Sequence, residues 1–401
     1  MALCNLTMAP QSGPDQKCGG FHMTSLAYVA ISFSLDQQIP QIQTTEFEGL
    51  EDVHVNGLSL LSFHKQLVEI DSTSNHEHTA SLYLKQFLEN AGLTVELQPI
   101  HDNYEIRYNV YAYYGKTRDT KVVVTSHFDT VPPYIPYSIN GTKIFGRGTS
   151  DAKGSVASQT FAFLSLLENN EIKEGDVSLL FVVGEEVSGT GMLEANNLGA
   201  KWDIAIFGEP TELKLGVGHK GAVVFTLDVE GHASHSGYPQ LGISAGEIII
   251  PVLNKLINSE WPVDDKLGPS TLNIGRFEGG VAANVIPAHA SAQALIRVSG
   301  QLDRVIELIE EAAADIDHLT LNIRSKAEPV YLDYEVPGFE SIVLAYFTDV
   351  PNLKLPLKSR YLYGPGTILV AHGDDEYVEN SDLVEAVDGY KRLVAHALSE
   401  L

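Results

Sequence analysis

The chain has 401 residues, enough for two domains, and 44% of them are hydrophobic, as in ordinary soluble globular proteins. Its 26 Lys and Arg against 52 Asp and Glu leave a formal net charge of −26, which argues against a nucleic-acid or anionic-membrane partner. No run of the sequence approaches the ~20 apolar residues that a membrane-spanning helix needs.

Residues 1–56 contain few periodic stretches and are predicted to form an N-terminal tail or a targeting segment. Both cysteines, Cys4 and Cys18, lie here, so the rest of the chain has no disulfide framework. Residues 25–35 are apolar over the length of a signal-peptide core, but they lack a basic leading region and begin far from the first residue. Two alternatives remain. The protein is secreted if Met23 or an upstream start supplies a signal peptide, and otherwise it is cytoplasmic, with this stretch packed on the folded body.

The next part of the chain alternates between predicted helices and strands. Helical spacing of apolar residues predicts amphipathic helices over 58–69 and 79–91. Alternating apolar residues predict strands over 93–99 and 108–114. Residues 121–126 are a β-branched apolar run, which is typical of a strand buried on both faces of a parallel sheet. These elements favour an α/β domain.

A His and two acidic residues follow this buried run. His127 and Asp129 come directly after the strand, and Asp151 follows a Gly-rich turn ahead of a predicted helix over 157–167. Open α/β sheets bind their ligands at the carboxyl ends of the strands. We therefore expect these three side chains to lie at one edge of the sheet.

Three further apolar runs end in the same kinds of residue. Residues 177–183 precede Glu185 and Glu186, residues 202–207 precede Glu209, and residues 367–371, predicted to be a fourth buried strand, precede His372. Clustered carboxylates repel one another unless a cation neutralises them. Two His and several carboxylates are a ligand set suited to zinc or a similar divalent metal. The sequence therefore predicts a metal site at these strand ends.

The segment 215–328 has a different character. Its pattern is strand, helix, strand, strand, helix, strand, over 222–229, 243–257, 271–276, 290–298, 302–314 and 319–324. This order predicts a ferredoxin-like domain of about 110 residues. The chain is accordingly divided into the tail 1–56, a first α/β part 57–214, this inserted domain 215–328 and a last part 329–401.

From about residue 58 to the C-terminus, these motifs and their order resemble the M20 family of co-catalytic zinc amidohydrolases. The family includes carboxypeptidases, acylamino-acid deacylases, acetylornithine deacetylase and succinyl-diaminopimelate desuccinylase. The resemblance implies that residues 57–214 and 329–401 are the first and second parts of an α/β catalytic domain, whose mixed sheet is flanked by helices and carries a two-metal site. It implies that residues 215–328 are an inserted ferredoxin-like α+β lid and dimerisation domain. It also implies two Zn²⁺ per chain, for which Co²⁺ or Mn²⁺ could substitute, and a homodimer formed through the lid.

The resemblance assigns five metal ligands: His127, Asp151, Glu186, Glu209 and His372. Asp151 would bridge two ions, since a carboxylate offers two oxygens, and each ion would be completed by one His and one Glu. Two metals about 3.5–4 Å apart can clamp a water molecule and polarise a carbonyl.

In the family, the residue at the place of Glu185 is the general base, which takes a proton from the attacking water and passes it to the leaving amine. The Asp at the place of Asp129 supports the ligand His127 and counts among the catalytic residues. One departure from the family is Gly184, where many relatives carry Asp or Thr. It removes no ligand but leaves open how the pair of Glu residues is oriented.

Four residues are assigned to the substrate by the same resemblance. His235 fits the family's G-x-x-x-H-S pattern and would stabilise the tetrahedral oxyanion, in some relatives from a partner subunit. Asn284 and Arg297 would hold a terminal carboxylate, which a planar guanidinium binds in bidentate fashion. Gly366 resembles the glycine turn that lets the backbone approach the substrate closely.

The implied function is zinc-dependent cleavage of an amide bond next to a free carboxylate, in a peptide C-terminus or an N-acyl amino acid. Two alternatives remain. One is a biosynthetic deacylase of the acetylornithine deacetylase type. The other is a metal-free dimeric binding module of the same fold, although such a module has no need of the base at Glu185.

Overall fold

The computed structural model describes residues 47–101 and 106–401, and the predictions made for residues 1–46, including the signal segment, lie outside the described residues. The helices are α1 (Leu60–Glu69), α2 (His78–Asn90), α3 (Lys153–Glu168), α4 (Thr190–Ala195), α5 (Ala245–Ile257), α6 (Leu302–Ala313) and α7 (Asn380–Ser399), with 3₁₀ turns at Pro239–Leu241 and Val350–Asn352. The strands are β1 (His54–Val55), β2 (Leu58–Ser59), β3 (Thr94–Ile100), β4 (Arg107–Tyr113), β5 (Val122–His127), β6 (Ser138–Asn140), β7 (Lys143–Phe145), β8 (Val177–Val182), β9 (Ile204–Gly208), β10 (Leu215–His219), β11 (Gly221–Glu230), β12 (Val263–Asp264), β13 (Gly268–Pro269), β14 (Thr271–Gly279), β15 (His289–Val298), β16 (Leu319–Ala327), β17 (Val330–Tyr331), β18 (Ser341–Leu344), β19 (Ser359–Tyr363) and β20 (Tyr377–Glu379). Within this part of the chain, no helix is both long and apolar enough to span a membrane.

A six-stranded mixed sheet forms the centre of the catalytic region, in the order β19-β9-β5-β8-β4-β3. The first four strands are parallel, and β4 and β3 are antiparallel to their neighbours. The middle strands β5, β8 and β9 are buried along their whole length. Because strand side chains alternate between faces, Val122 and Val124 join one core while Val123 joins another on the opposite face. The mixed α/β sheet predicted for this region is confirmed.

Helices cover one face of this sheet, and one of them, α3, follows directly after the chain segment that carries Asp151. The core on that face takes side chains from α1, α2, α3 and α7. Helix α3 begins two residues after Asp151 and is buried along most of its length. A helix that is apolar or small on all sides belongs in an interior. Its N-terminus is therefore held rigidly at the strand ends.

The lid is a four-stranded antiparallel sheet in the order β14-β15-β11-β16, with a hydrophobic core of its own to which α5 and α6 contribute. Residues of β11 alternate between buried and half-buried, as expected for a sheet with one face against helices. Along the chain, the four strands of this sheet and the two helices follow one another as strand, helix, strand, strand, helix, strand, and the short strands β12 and β13 form a separate pair. This is the predicted ferredoxin-like arrangement.

The predicted strand over residues 367–371 is wrong. Only Thr367 makes a β-bridge, to Thr211, and residues 368–372 form turns. The place beside β9 is taken by β19, whose register pairs Tyr361 with Ile206. A run of five apolar residues does not by itself distinguish a buried strand from a surface turn, and Leu369 is 83% exposed. His372 therefore lies on a surface loop and not at a strand end.

Candidate metal centre

The parallel register of the central strands brings three of the predicted site segments to one edge. His127 ends β5 and pairs with Val182, the last residue of β8, while Ser126 pairs with Gly208 at the end of β9. Glu209 follows β9 directly, so it emerges beside His127. The turn after β8 carries Glu185 and Glu186 to the same edge.

Two groups of potential metal ligands share Asp151. In the first, His127 Nε2 lies 3.1 Å from Asp151 Oδ1 and 3.8 Å from Glu209 Oε1. In the second, His372 Nε2 lies 3.4 Å from Asp151 Oδ2 and 3.0 Å from Glu186 Oε2. Within each group, one ligand atom per residue lies within 4.8 Å of the others. We call His127, Asp151 and Glu209 the first half-site, and Asp151, Glu186 and His372 the second half-site. The two oxygens of Asp151 face different half-sites, and all five predicted ligands lie together.

Burial makes this concentration of charge costly. It raises the pKa of Glu209 well above its ordinary value, with further contributions from Asp151 and other acids. Burial and the charge of Asp151 also raise the pKa of Glu186. Hydrogen bonds to Asp151 and Glu186 raise the pKa of His372 to about 10. Each of these pKa shifts favours a form of the site that carries less net negative charge. Divalent cations would supply positive charge there, and His nitrogens with carboxylate oxygens are donors that suit zinc.

Asp129 is fully buried and contacts both His127 and the turn that carries Glu185 and Glu186. Its backbone carbonyl lies 3.0 Å from His127 Nδ1, closer than its carboxylate at 3.5 Å. The carboxylate instead accepts the backbone N–H groups of Glu185 at 3.0 Å and Glu186 at 3.2 Å, and the hydroxyl of Ser74. Asp129 therefore orients His127, a predicted ligand, mainly through its backbone and positions the two Glu residues through its side chain.

Glu185 belongs to neither group of potential ligands among the described residues. Burial raises the pKa of its carboxyl well above the ordinary value, and the nearby acid Asp349 adds to the effect. A carboxylate beside the two groups, but outside both, is free to exchange protons. Sequence analysis left the orientation of the Glu pair open. In the structure, Glu186 belongs to the second group of potential ligands and Glu185 to neither.

The turn that presents the Glu pair depends on Gly184. This residue has a φ of +72°, and an added Cβ would lie 2.7 Å from Thr190 Oγ1 and 3.2 Å from Arg107 Nη1. Arg107 is itself buried and forms a 2.8 Å ion pair with Glu77, which is also buried. The turn therefore packs directly on a buried charged pair, and only Gly fits there without displacement.

Replacing Gly184 with Ala is expected to destabilise the protein by roughly 2–4 kcal/mol, from the left-handed backbone and the crowding at Arg107 together. A matched control is Gly141→Ala, where φ is +64° but nothing lies within 4 Å of the added Cβ. That variant should lose only about 1–2 kcal/mol. Urea denaturation measures both, and equal losses would contradict the crowding at position 184.

Asp349 is a buried acid at the site that sequence analysis missed. It lines a small cavity together with His127 and Glu209. Its Oδ1 accepts a hydrogen bond of 2.8 Å from Asn352, while Oδ2 has no hydrogen-bond partner among the described residues. Burial raises the pKa of this carboxyl to about 6. No motif or spacing marked Asp349, because it comes from a loop after the lid and not from a predicted strand end.

The residues predicted to bind substrate lie in two places. Gly366 has a φ of +76° and packs against Ser150, next to Asp151. Arg297 lies half-buried on β15 and has no ion-pair partner in the described part of the chain. His235 and Asn284 are exposed neighbours on the lid, where Ser236 N–H donates to the Asn284 carbonyl. No hydrogen bond or ion pair among the described residues joins these lid side chains to the five ligands.

Comparison with known proteins adds independent findings. Residues 217–320 match the M20 peptidase dimerisation domain. The chain is 51% identical over 343 residues to a peptidase M20 domain-containing protein of Schizosaccharomyces pombe, covering 85% of this chain and 86% of the relative. It is 44% identical over 418 residues to a probable carboxypeptidase of Aspergillus oryzae, covering 94% and 99%. The crystal structure of a dinuclear metal-binding M20 peptidase from Bacillus subtilis is similar in fold, with a TM-score of 0.61 and 15% identity over 85% of this chain and 98% of that one.

Proposed function

Because the chain belongs to the M20 peptidase family and is therefore a peptide hydrolase, we propose that it is a two-zinc carboxypeptidase that cleaves the amide bond next to a free carboxylate. The observation that carries the proposal is the position of Asp151, whose two oxygens face two separate His and Glu pairs. A carboxylate placed in this way is suited to bridging two ions. The metal-free binding module has no comparable explanation for five converging ligands.

His127, Asp151 and Glu209 would hold one ion, and Asp151, Glu186 and His372 the other. When bound, the ions would polarise the substrate carbonyl and lower the pKa of the attacking water. Glu185 would take a proton from that water at its carboxylate and deliver it to the amide nitrogen as the C–N bond breaks. One water is consumed, and a carboxylic acid and an amine are released. Asp129 would keep Glu185 in place, because its carboxylate accepts a hydrogen bond from the backbone N–H of Glu185.

Arg297 would recognise the free carboxylate of the substrate. Its guanidinium is half-buried, which lowers its pKa, yet no Asp or Glu lies within ion-pair distance among the described residues. A desolvated guanidinium without an anion favours a bidentate carboxylate ligand. Asn284 and His235 would contribute from the lid, and a homodimer through the lid domain is part of the proposal.

The test compares peptides that have free or amidated C-termini, N-acyl amino acids and N-acetylornithine, with and without added zinc. We expect hydrolysis of the free-carboxylate peptides. Arg297→Ala should lower kcat/KM for these by roughly 10–100-fold while changing amidated substrates little. Arg276→Ala, which removes an exposed lid Arg paired with Glu278, is the control. Equal losses on both substrate types would contradict carboxylate capture, and turnover of N-acetylornithine alone would favour the biosynthetic deacylase.

A further inference from the structure

The two half-sites are supported in different ways. The first draws His127 and Glu209 from the ends of buried strands, and both side chains are at least nine-tenths buried. The second draws His372 from a surface loop with a φ of +64°, and the His372 side chain is 51% exposed. Something outside the sheet must therefore fix the distance between His372 and Asp151.

Glu376 lies four residues after His372, and its buried carboxylate is directed at the segment that carries Asp151. Its Oε1 accepts three backbone N–H groups, from Gly148 at 2.9 Å, Ser150 at 3.2 Å and Asp151 at 3.1 Å. Its backbone carbonyl accepts a fourth, from Gly146 at 3.1 Å. A buried carboxylate with three N–H donors on one oxygen holds the backbone that donates them.

Arg147 completes this arrangement from the other side. Its Nη1 forms a 2.7 Å ion pair with Glu376 Oε2, and neither side chain is more than 1% exposed. The same nitrogen donates at 3.1 Å to the carbonyl of Gly373, the residue after His372. Arg147 thus ties the peptide next to the exposed ligand to the carboxylate that holds the bridging ligand.

A third connection between the two segments, after those made by Glu376 and Arg147, lies at the other end of the His372 loop. The Ser150 hydroxyl is 3.1 Å from the Thr367 N–H and 3.2 Å from the Thr367 carbonyl. The loop 367–376 is therefore bound to the segment 146–151 at three points. Thr367 is held at the beginning of the loop, Gly373 beside His372, and Glu376 at the end.

We propose that Glu376 and Arg147 are a positioning pair, which sets the geometry of the second half-site by locking the His372 loop to the Asp151 segment. This inference rests on the proposed two-metal function. It assigns the pair no contact with substrate or with the reacting water. Residues that support metal ligands from behind affect metal affinity by roughly 10–100-fold. The second ion should depend on the pair more than the first, because His127 and Glu209 are held by the sheet.

The test is Glu376→Gln in the full chain, titrated with Co²⁺ and followed by visible absorption and by equilibrium dialysis against zinc. The variant should bind the first ion as the wild type does and the second roughly 10–100-fold more weakly. Glu379→Gln is the matched control, since Glu379 lies three residues along the same segment and pairs with Thr142 and Lys143 at the surface. It should bind both ions normally. Melting of the metal-free proteins shows whether each variant is folded.

Ser150→Ala is a second variant, which removes only the tie to Thr367 and leaves the buried ion pair intact. It should also weaken the second ion, by a smaller factor, because the other contacts of the loop remain. Arg147→Lys keeps a positive charge beside Glu376 but loses the planar fork that also reaches the Gly373 carbonyl, and it decides the matter if Glu376→Gln does not fold. Unchanged affinity for the second ion, or equal weakening of both ions, would overturn the positioning role. A wild type that binds no divalent metal would instead refute the proposed function, so the two failures are distinguishable.

Discussion

Replacing Glu185 with Gln is expected to lower kcat by roughly 10²–10⁴-fold while leaving the metal content unchanged. Gln has nearly the same shape as Glu but accepts no proton at neutral pH, so the water keeps its position and loses its base. The backbone N–H of residue 185 would still bind Asp129, because the substitution does not alter it. The measurement is steady-state kinetics together with metal analysis of the same preparation.

Glu194→Gln is the matched control for this experiment. Glu194 lies on α4, nine residues further along the connection between β8 and β9. Among the described residues, its carboxylate forms a hydrogen bond only with the nearby Asn197, at 3.3 Å. That variant should keep normal kcat. A Glu185→Gln protein that holds both metals and turns over at a near-normal rate would remove Glu185 as the base.

Replacing Asp151 with Asn should have a comparable or larger effect by a different route. An amide offers one oxygen and no negative charge, so it cannot bridge two ions as a carboxylate does. We expect the loss of at least one ion per chain, so that the attacking water is no longer activated. Proton transfer by Glu185 contributes a factor of roughly 10²–10⁴ to the rate and needs that water, so kcat/KM should fall by at least this factor. Removing the metal from the wild type with a chelator should lower kcat/KM to the same extent. Added zinc should then restore the activity of the wild type but not that of Asp151→Asn.

Asp265→Asn serves as the control, because Asp265 is an exposed residue of the lid. It should change neither metal content nor rate. Full activity of Asp151→Asn after exhaustive dialysis against a chelator would contradict a bridging role for Asp151.

The strands that precede His127 and Glu209 could be predicted because a buried strand has a recognisable apolar sequence. A strand buried on both faces is mostly apolar, as in β5, β8 and β9, and a His or acidic residue at or just after its end then marks the sheet edge. The same reasoning failed for residues 367–371, where an apolar run lies on a surface loop. His372 was predicted as a ligand from this strand end as well as from the family resemblance, and of these two grounds only the resemblance remains now that the strand is wrong.

The supporting residues could not be predicted in this way. Glu376 acts through backbone N–H groups more than 220 residues away in the chain, and no spacing in a single sequence encodes such contacts. Its position in the acidic run after His372 was the only available signal, and surface acids produce the same pattern. Asp349 and Gly184 are similar, because their significance depends on what packs against them in the folded protein.

The proposed chemistry requires divalent ions that neutralise the converging carboxylates around Asp151. Metal analysis of the purified full chain at neutral pH, after dialysis against buffer that contains a trace of zinc, measures this requirement. We expect two zinc ions per chain in the wild type and fewer in Asp151→Asn. A folded wild-type protein that retains no divalent metal and still hydrolyses peptides with free carboxylates would show that the ions are not required.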